Sequence, residues 1–533
     1  MKSTIELLRE GRNQEIWTRH CGHLDLDINE YMNIQKRLLM EQIQNLGESK
    51  IGQELFKGKT PGSVEEFRTK VPMTKYEFYA PFLQDRNEDF LPVKPYAWVR
   101  TSGRTSDSGH FKWAPYTKAM YDKLGGYLVT GMLLSSANGK GDINLSMKDR
   151  LLLATAPPPY LSGQMTYALR DALGVRFLPN LEEGDQMDFV ERIAKGMHMA
   201  LSEGLDYFYG LSSILVRIGE QFEESTSSSK PSTNMLKLGS IWRLLKAAAI
   251  AKFQHRKILP RDIWNIKGIM TGGSDSSVYS KKIEYYWGKK PLEAYGSTEG
   301  STMASQAWNY KGMYFLPDNA FIEFIPYAEH LKNVKNPDYK PPTVLYDELT
   351  PGIYELVFTN FHGGVFTRYR IGDLFEVTEI GDAETGIKLP QVQFYSSANQ
   401  VLDLAGLVRI TEKDIWHALE RAEIKYTEWT ARKEFIGTDP VLHLYIEPKS
   451  STEIDIAKTQ TIISQQLDEA NPEYKDFRTI TGRNPLKISV LPHGSFNAYM
   501  EYKKNLGADL AHIKPPHMQA NDKIIRRLLH PDA

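Results

Sequence analysis

Three short segments of this 533-residue chain combine residue types suited to a phosphorylated ligand. The first is Thr101-Ser102-Gly103-Arg104-Thr105-Ser106-Asp107-Ser108-Gly109-His110-Phe111-Lys112, which follows an apolar stretch. Its glycines let backbone N–H groups approach phosphate closely, its hydroxyls add donors, and Lys112 offsets negative charge. The Walker A spacing GxxxxGK[ST] is absent, and an ordinary Ser/Gly loop has the same composition. The second is Tyr295-Gly296-Ser297-Thr298-Glu299-Gly300, after the strand-like PLEA. Here an aromatic could stack a purine, hydroxyls could touch phosphate, and Glu299 could ligate Mg²⁺. The competing reading is a strand-ending turn, with a Ser or Thr cap and Glu299 in the first turn of a helix. The third is Thr367-Arg368-Tyr369-Arg370-Ile371-Gly372-Asp373. A Gly-Asp at a strand end can offer its carboxylate to vicinal ribose hydroxyls, although a hairpin turn is written the same way. Each segment is weak alone; their joint occurrence in this order carries the information.

The elements that must position these segments are legible from periodicity. Residues 1–60 read as helical, with Tyr31, Ile34, Leu38 and Leu39 at helical spacing. From residue 150 short apolar runs alternate with helical patterns: RLLLATAP, MTYALRDAL, VRFLP, FVERIAKGMHMALSEG, DYFYGLSS, ILVRIGEQFEE. That alternation predicts a largely parallel sheet with helices on its faces, which binds ligands at the carboxyl ends of its strands. STSSSKPST (225–233) and Lys332–Pro342 read as polar loops. Between Gly352 and Val377 the pattern turns to strands. A further change near 395 marks a boundary between a domain of residues 1–395 and one of 396–533, the latter with its own strands (VLHLYIEP, LKISVLP) and helices.

Composition narrows the function classes. A net charge of −1 gives no global field for nucleic acid or an anionic membrane. The single cysteine, Cys21, cannot form an intrachain disulfide, and its HCGHL setting lacks a fourth metal ligand. MKSTIELLREGRNQEIW has charges throughout and no apolar core, so a signal peptide is not expected. The longest apolar stretch, near LLKAAAIAKF, is shorter than the ~20 residues of a membrane span. A cytoplasmic monomer without nucleic-acid or membrane partners is the expectation. His362-Gly363-Gly364 reads as a turn, and the basic IIRRLLH (524–530) as a packed terminal helix.

TSG…GxxK, YGSTE and YRIGD, in this order, resemble the adenylate-forming acyl-activating enzymes. The tail resembles one branch, the acyl-acid amido synthetases of the Gretchen Hagen family, in a bacterial-type member. That family ends in a Gly-Thr-Phe turn, a helix, a Gly-Ala-Ser and a Tyr-Lys-x-Pro-Arg. Gly494-Ser495-Phe496, Gly507-Ala508-Asp509 and Ile513-Lys514-Pro515-Pro516 stand in their places, with His517 where the family has Arg. The resemblance implies an α/β fold. Its large N-terminal adenylation domain has mixed sheets, flanking helices and a β-barrel-like portion; a small mobile α+β C-terminal domain follows. It implies ATP and Mg²⁺, and a carboxylic acid and an amino acid as substrates. It assigns Ser102, Gly103, Gly109 and Lys112 to the phosphate loop. Gly272, Gly273 and Ser274 line the adenine pocket, and Tyr295 stacks on adenine, with Gly296 and Ser297 beside it. Thr298 reaches phosphate, Glu299 holds Mg²⁺, Asp373 binds ribose and Lys514 is the mobile lysine. Two departures stand out: five residues separate Gly103 from Gly109 where the family usually has three, and Ser396 and Ser397 stand where a hinge arginine is usual. Either Arg370 or Arg409 substitutes for that arginine, or the hinge contact is lost. The alternatives are a ligase with a thiol acceptor, coenzyme A or a carrier protein, and an inactive nucleotide-binding homologue.

Overall fold

A computed structural model describes residues 2–104, 111–225, 238–272, 276–404, 408–436, 439–449, 454–481, 483–506 and 513–531. The chain separates into two compact units, Met1–Tyr395 and Ser396–Ala533.

The first unit is built on a twelve-stranded sheet. One half is parallel and follows the predicted alternation. Strands Arg150–Ala154, Arg176–Leu178, Tyr207–Leu211, Gly268–Gly272 and Leu292–Ser297 are linked by helices including Leu161–Leu173, Phe189–Glu203 and Ser212–Ser225. Leu151–Leu153 are buried on both faces, as a strand covered by helices on each side requires. The other half is mainly antiparallel. It runs through Ser301–Gln306, Met313–Phe315, Ile387–Ser397, Tyr369–Asp382, Gly352–Asn360, Ala320–Pro326 and Val344–Leu345. The two halves are continuous, and the sheet ends in edges at Arg176–Leu178 and Val344–Leu345. The loop predicted for Lys332–Pro342 begins later, because the helix Tyr327–Lys335 continues through its first four residues. Of the predicted loop 225–233, residues 226–233 lie outside the described residues.

The N-terminal helices brace the antiparallel half. Ile28–Gly47 starts at a capping box, with Asp27 accepting from the Asn29 and Glu30 N–H groups and Glu30 reaching back to the Asp27 N–H. Its buried stripe includes two glutamines seven residues apart, which puts them on one face. Gln35 donates to the Pro317 and Ala320 carbonyls at 2.6 and 2.8 Å and accepts from the Ile322 N–H. Gln42 donates to the Gly364 carbonyl and accepts from the Gly363 N–H at 2.7 and 2.9 Å. Each amide satisfies backbone groups that helix packing would otherwise strand from water.

The second unit has a three-stranded sheet. Tyr426–Ile436 and Asp439–Pro448 pair antiparallel, and Leu486–Val490 adds in parallel. Helices Glu412–Arg421, Ile456–Ala470, Pro472–Thr481, Ser495–Asn505 and Asp522–Leu529 accompany it. In the last of these Ile525 and Leu528 are buried among Tyr445, Phe496 and Tyr499, so its apolar face is spent on packing.

Candidate functional site

The YGSTEG segment joins two antiparallel strands. Leu292–Ser297 turns through Thr298-Glu299-Gly300 into Ser301–Gln306, and Ser297 faces Ser301 in the ladder. No helix follows, which removes the helix-start reading of this motif. The turn is tight. A Cβ at Gly296 would lie 2.5 Å from the Ser301 carbonyl oxygen, and Ser301 takes a left-handed φ of 61°. Ser297 Oγ accepts from the Gly300 N–H at 2.9 Å, and the Thr298 carbonyl accepts from Tyr116 OH at 2.9 Å.

This turn holds Glu299 in a nearly closed position, 5% exposed. Tyr369 OH donates to its Oε1 at 3.0 Å, and Lys112 Nζ lies 3.8 Å from the same oxygen. Lys112 reaches in from the strand Phe111–Tyr116 and sits 5.1 Å from the centre of the Tyr76 ring. Asn360 Nδ2 fixes the Glu299 backbone through its carbonyl at 3.0 Å.

The third motif supplies Asp373 through an irregularity in the sheet. Glu355 pairs with Leu374 but Val357 pairs with Arg370, so Ile371, Gly372 and Asp373 stand opposite the single residue Leu356. Gly372 adopts φ 88° in this bulge. The Asp373 carboxylate accepts from Tyr295 OH at 2.7 Å. Tyr295 packs edge-on to Phe375 and stacks toward Phe394, at 4.7 and 6.2 Å between ring centres. Burial first, then Asp373, raises the Tyr295 phenol well above its usual range; burial and Glu299 do the same to Tyr369. Burial pushes Tyr76 up to about 12. Tyr295 and Tyr369 therefore stay protonated and act as donors to the carboxylates, while Tyr76 OH donates to the Trp113 carbonyl at 3.2 Å.

Lys112, the pair Tyr295 and Glu299, and Asp373 thus come from three separate parts of the chain and form two adjoining clusters, joined where Tyr369 and Asp373 share one strand. Gly272 ends the neighbouring strand Gly268–Gly272, paired with Ala294 one residue before Tyr295. Arg370 is not brought there. Its guanidinium makes a two-pronged pair with Glu355 at 2.8 and 2.7 Å and donates to Asn333 at 2.8 Å, because strand alternation turns it from the side that Tyr369 takes. Gly109, Gly273 and Ser274 lie outside the described residues, as do the side chain of Ser102 and the surroundings of Gly103.

Sequence reasoning missed Tyr76, Tyr116, Asn360 and the role of Tyr369. Tyr369 lies within the third motif, but local sequence does not tell it apart from its neighbour Arg370. It also missed Arg368, which has φ 43° and a buried pair with Glu323 at 3.0 and 2.9 Å. With Thr74, whose backbone bonds to residues 368 and 370 at 2.9 and 2.8 Å, this pair fixes the entry to the motif.

Among the described residues no group of three or more His, Cys, Asp or Glu side chains could hold a metal ion. A lone buried carboxylate with neutral oxygens beside it suits an ion such as Mg²⁺ whose remaining ligands are substrate phosphates and water. The HCGHL segment holds a buried free thiol at Cys21. Burial raises the Cys21 thiol and lowers His20 and His23 to about 4. His362 forms the expected turn, at φ 59°, with Nε2 2.7 Å from the Asp318 carbonyl.

Family models match residues 22–151 as the GH3 family N-terminal domain, 313–396 as its central domain and 410–523 as its C-terminal domain, more than half of the chain. The chain belongs to the GH3 family. An Arabidopsis thaliana indole-3-acetic acid-amido synthetase, GH3.3, is 26% identical over 267 residues, which are 46% of this chain and 42% of that protein. The chain thus spans less than half the length of this curated GH3 relative. The structure of the AtGH3.15 acyl acid amido synthetase in complex with 2,4-DB superposes over 95% of both chains, with TM-score 0.67 and 17% identity. A 2-hydroxyisobutyryl-CoA ligase in complex with R3-HIB-AMP superposes over 94% of this chain and 92% of its own, with TM-score 0.63 and 14% identity. The fold is that of the adenylate-forming enzymes.

The GH3 tail is anchored by two carboxylate arrangements within the second unit. At Gly494-Ser495-Phe496 the buried Glu447 accepts from the Gly494 and Phe496 N–H groups, both at 2.8 Å, at the start of the helix Ser495–Asn505. Further on, His517 bonds to Glu412 through Nδ1 at 2.5 Å and to Glu428 through Nε2 at 2.7 Å. Its ring lies flat on Trp429, 4.6 Å between centres, and edge-on to Trp416. Burial alone would lower this imidazole, but Glu428 and Glu412 outweigh it and push it up to about 10. Lys514, three residues earlier, is exposed. Gly507-Ala508-Asp509 lies outside the described residues.

Proposed function

We propose that this GH3 protein joins a small carboxylic acid to the amine of an amino acid at the expense of ATP. A carboxylate oxygen of the acid attacks the α-phosphorus, the bond to the β-phosphate bridge breaks, and pyrophosphate leaves. The amine nitrogen then attacks the acyl carbonyl, the acyl–phosphate C–O bond breaks, AMP leaves, and the nitrogen loses a proton.

The observation that carries this reading is the convergence of Lys112, Glu299 and Asp373 around the tyrosine donors. In it Asp373 accepts from the ribose hydroxyls, with Tyr295 OH fixing the carboxylate. Lys112 offsets phosphate charge, for which it exchanges its loose contact with Glu299. Tyr295, Gly296 and Gly272 border the base, and Ser297 and Thr298 border the phosphates. Glu299 would hold Mg²⁺, which supplies further charge neutralisation when bound. Lys514 serves the second unit's part of the cycle. The enzyme works as a cytoplasmic monomer in this reading. Support for the acceptor comes from the amido synthetases among the relatives and from the GH3 C-terminal domain.

The test has two steps. Carboxylate-dependent exchange of labelled pyrophosphate into ATP is expected with a panel of acids; no exchange with any acid would leave a nucleotide-binding protein without catalysis. Amino acids and coenzyme A are then offered separately. Amide products are expected by mass, and thioester alone would replace the amine with a thiol.

A further inference from the structure

The helix Leu238–Phe253 is apolar on both sides, and only one side is covered. Ser240, Ala247 and Ala251 are buried and Leu244 packs partly against the same core. Arg243 ties the helix down by donating to the Leu201 and Ser202 carbonyls, both at 2.9 Å. On the opposite side Trp242 is 69% exposed, Leu245 62% and Phe253 85%, with Ile241 at 44%. Trp242, Leu245, Ala249 and Phe253 recur at helical spacing and form one outward stripe. Lys246 and Lys252, both exposed, flank that stripe on its two sides. No carboxylate pairs with either among the described residues.

The helix itself carries charge of one sign. Residues 238–261 contain six Lys or Arg and no Asp or Glu, although the whole chain carries −1. Arg256 spends its charge on Asp262, at 2.6 and 2.7 Å, but the two flanking lysines do not. A globular protein ordinarily covers an apolar stripe of this kind or breaks it with polar residues. A convex helix with a Trp, a Leu and a Phe outward and lysines at its flanks matches the geometry of helices that lie in a bilayer interface. There the apolar side chains enter the acyl boundary while the lysine stems reach back to headgroup phosphates. The basic helix Asp522–Leu529 is the internal contrast, because its Ile525 and Leu528 are already buried.

We infer that the exposed face of the helix Leu238–Phe253 is a docking surface for an anionic lipid membrane. Apolar insertion and charge attraction act together, so attachment is reversible and sensitive to salt. The surface is separate from the nucleotide-facing residues and does not depend on the adenylation reading.

The test is flotation of the full-length protein with phosphatidylcholine vesicles, with or without 30% (about one lipid in three) phosphatidylserine. Wild type is expected to float with the anionic vesicles and to be released by salt. Leu245→Glu should lower the bound fraction at least about tenfold. Lys246→Glu with Lys252→Glu should remove the preference for anionic lipid. An unchanged melting temperature in both variants shows that the fold is intact. Failure of wild type to float, or equal flotation of the folded Leu245→Glu variant, overturns the proposal. So does a lipid-free oligomer that Leu245→Glu dissolves, since the stripe would then be a protein interface.

Discussion

Glu299 in the first unit and the pair Glu412 and Glu428 in the second show two uses of a secluded carboxylate. Glu299 receives one phenol at 3.0 Å, and its nearest cation stays at 3.8 Å, beyond hydrogen-bond reach. Glu412 and Glu428 close on one imidazole at 2.5 and 2.7 Å, with an indole ring flat against it. In the second case both ring nitrogens are taken, so the imidazole can bind nothing further. In the first, the cation is close but uncommitted, which leaves it able to meet a phosphate. The candidate site and the structural staple use the same residue types; what separates them is how much of their polar capacity is already committed.

Substitutions can break this contrast at several points. The largest expected effects are on activity in the first unit. Asp373→Ala and Glu299→Gln should each lower carboxylate-dependent pyrophosphate exchange by roughly 100-fold or more, with an unchanged melting temperature. Wild-type exchange rates in both would remove these residues from the site. Next comes the staple. His517→Ala leaves two half-buried carboxylates facing each other and should cost the second unit about 1–3 kcal/mol. Amide exchange would show it as lost protection across Tyr426–Ile436; unaltered protection would make the cluster dispensable.

The pH dependence sharpens the comparison further. Folding raises His517 above its ordinary 6.5, so its stabilisation is complete below about pH 6.5 and is lost as pH climbs through about 10. Glu355 behaves in the opposite sense. Burial alone would raise it, but His330 and Arg370 outweigh that and hold it below 4.5. Its contribution is present above about pH 4.5 and is lost as pH falls. Denaturant titrations against pH should therefore show an alkaline loss that vanishes in His517→Ala and an acid loss that shrinks in Glu355→Gln. The smallest expected change in stability is from Lys514→Ala, within about 0.5 kcal/mol for an exposed side chain. Its effect should fall unequally on adenylation and acyl transfer, and equal loss in both would argue against a role tied to one half-reaction.

The sequence by itself determined the parallel half of the sheet. Buried strands such as RLLLA and amphipathic helices such as FVERIAKGMHMALSE carry periods of burial that local reading detects. It also supplied the three motifs, because tight turns demand particular small residues. Only the tertiary structure decided that Glu299 meets Tyr369 and Lys112, residues 70 and 187 positions away, since no local pattern encodes such contacts. It also decided that Arg370 serves Glu355 and turns away from the side that Tyr369 takes, a choice set by strand alternation and a bulge. Likewise, the Leu238–Phe253 and Asp522–Leu529 helices both combine apolar with basic residues, whereas packing determines which apolar face is hidden. Burial and charge pairing depend on what the rest of the chain brings alongside, and that information is absent from any short stretch of residues.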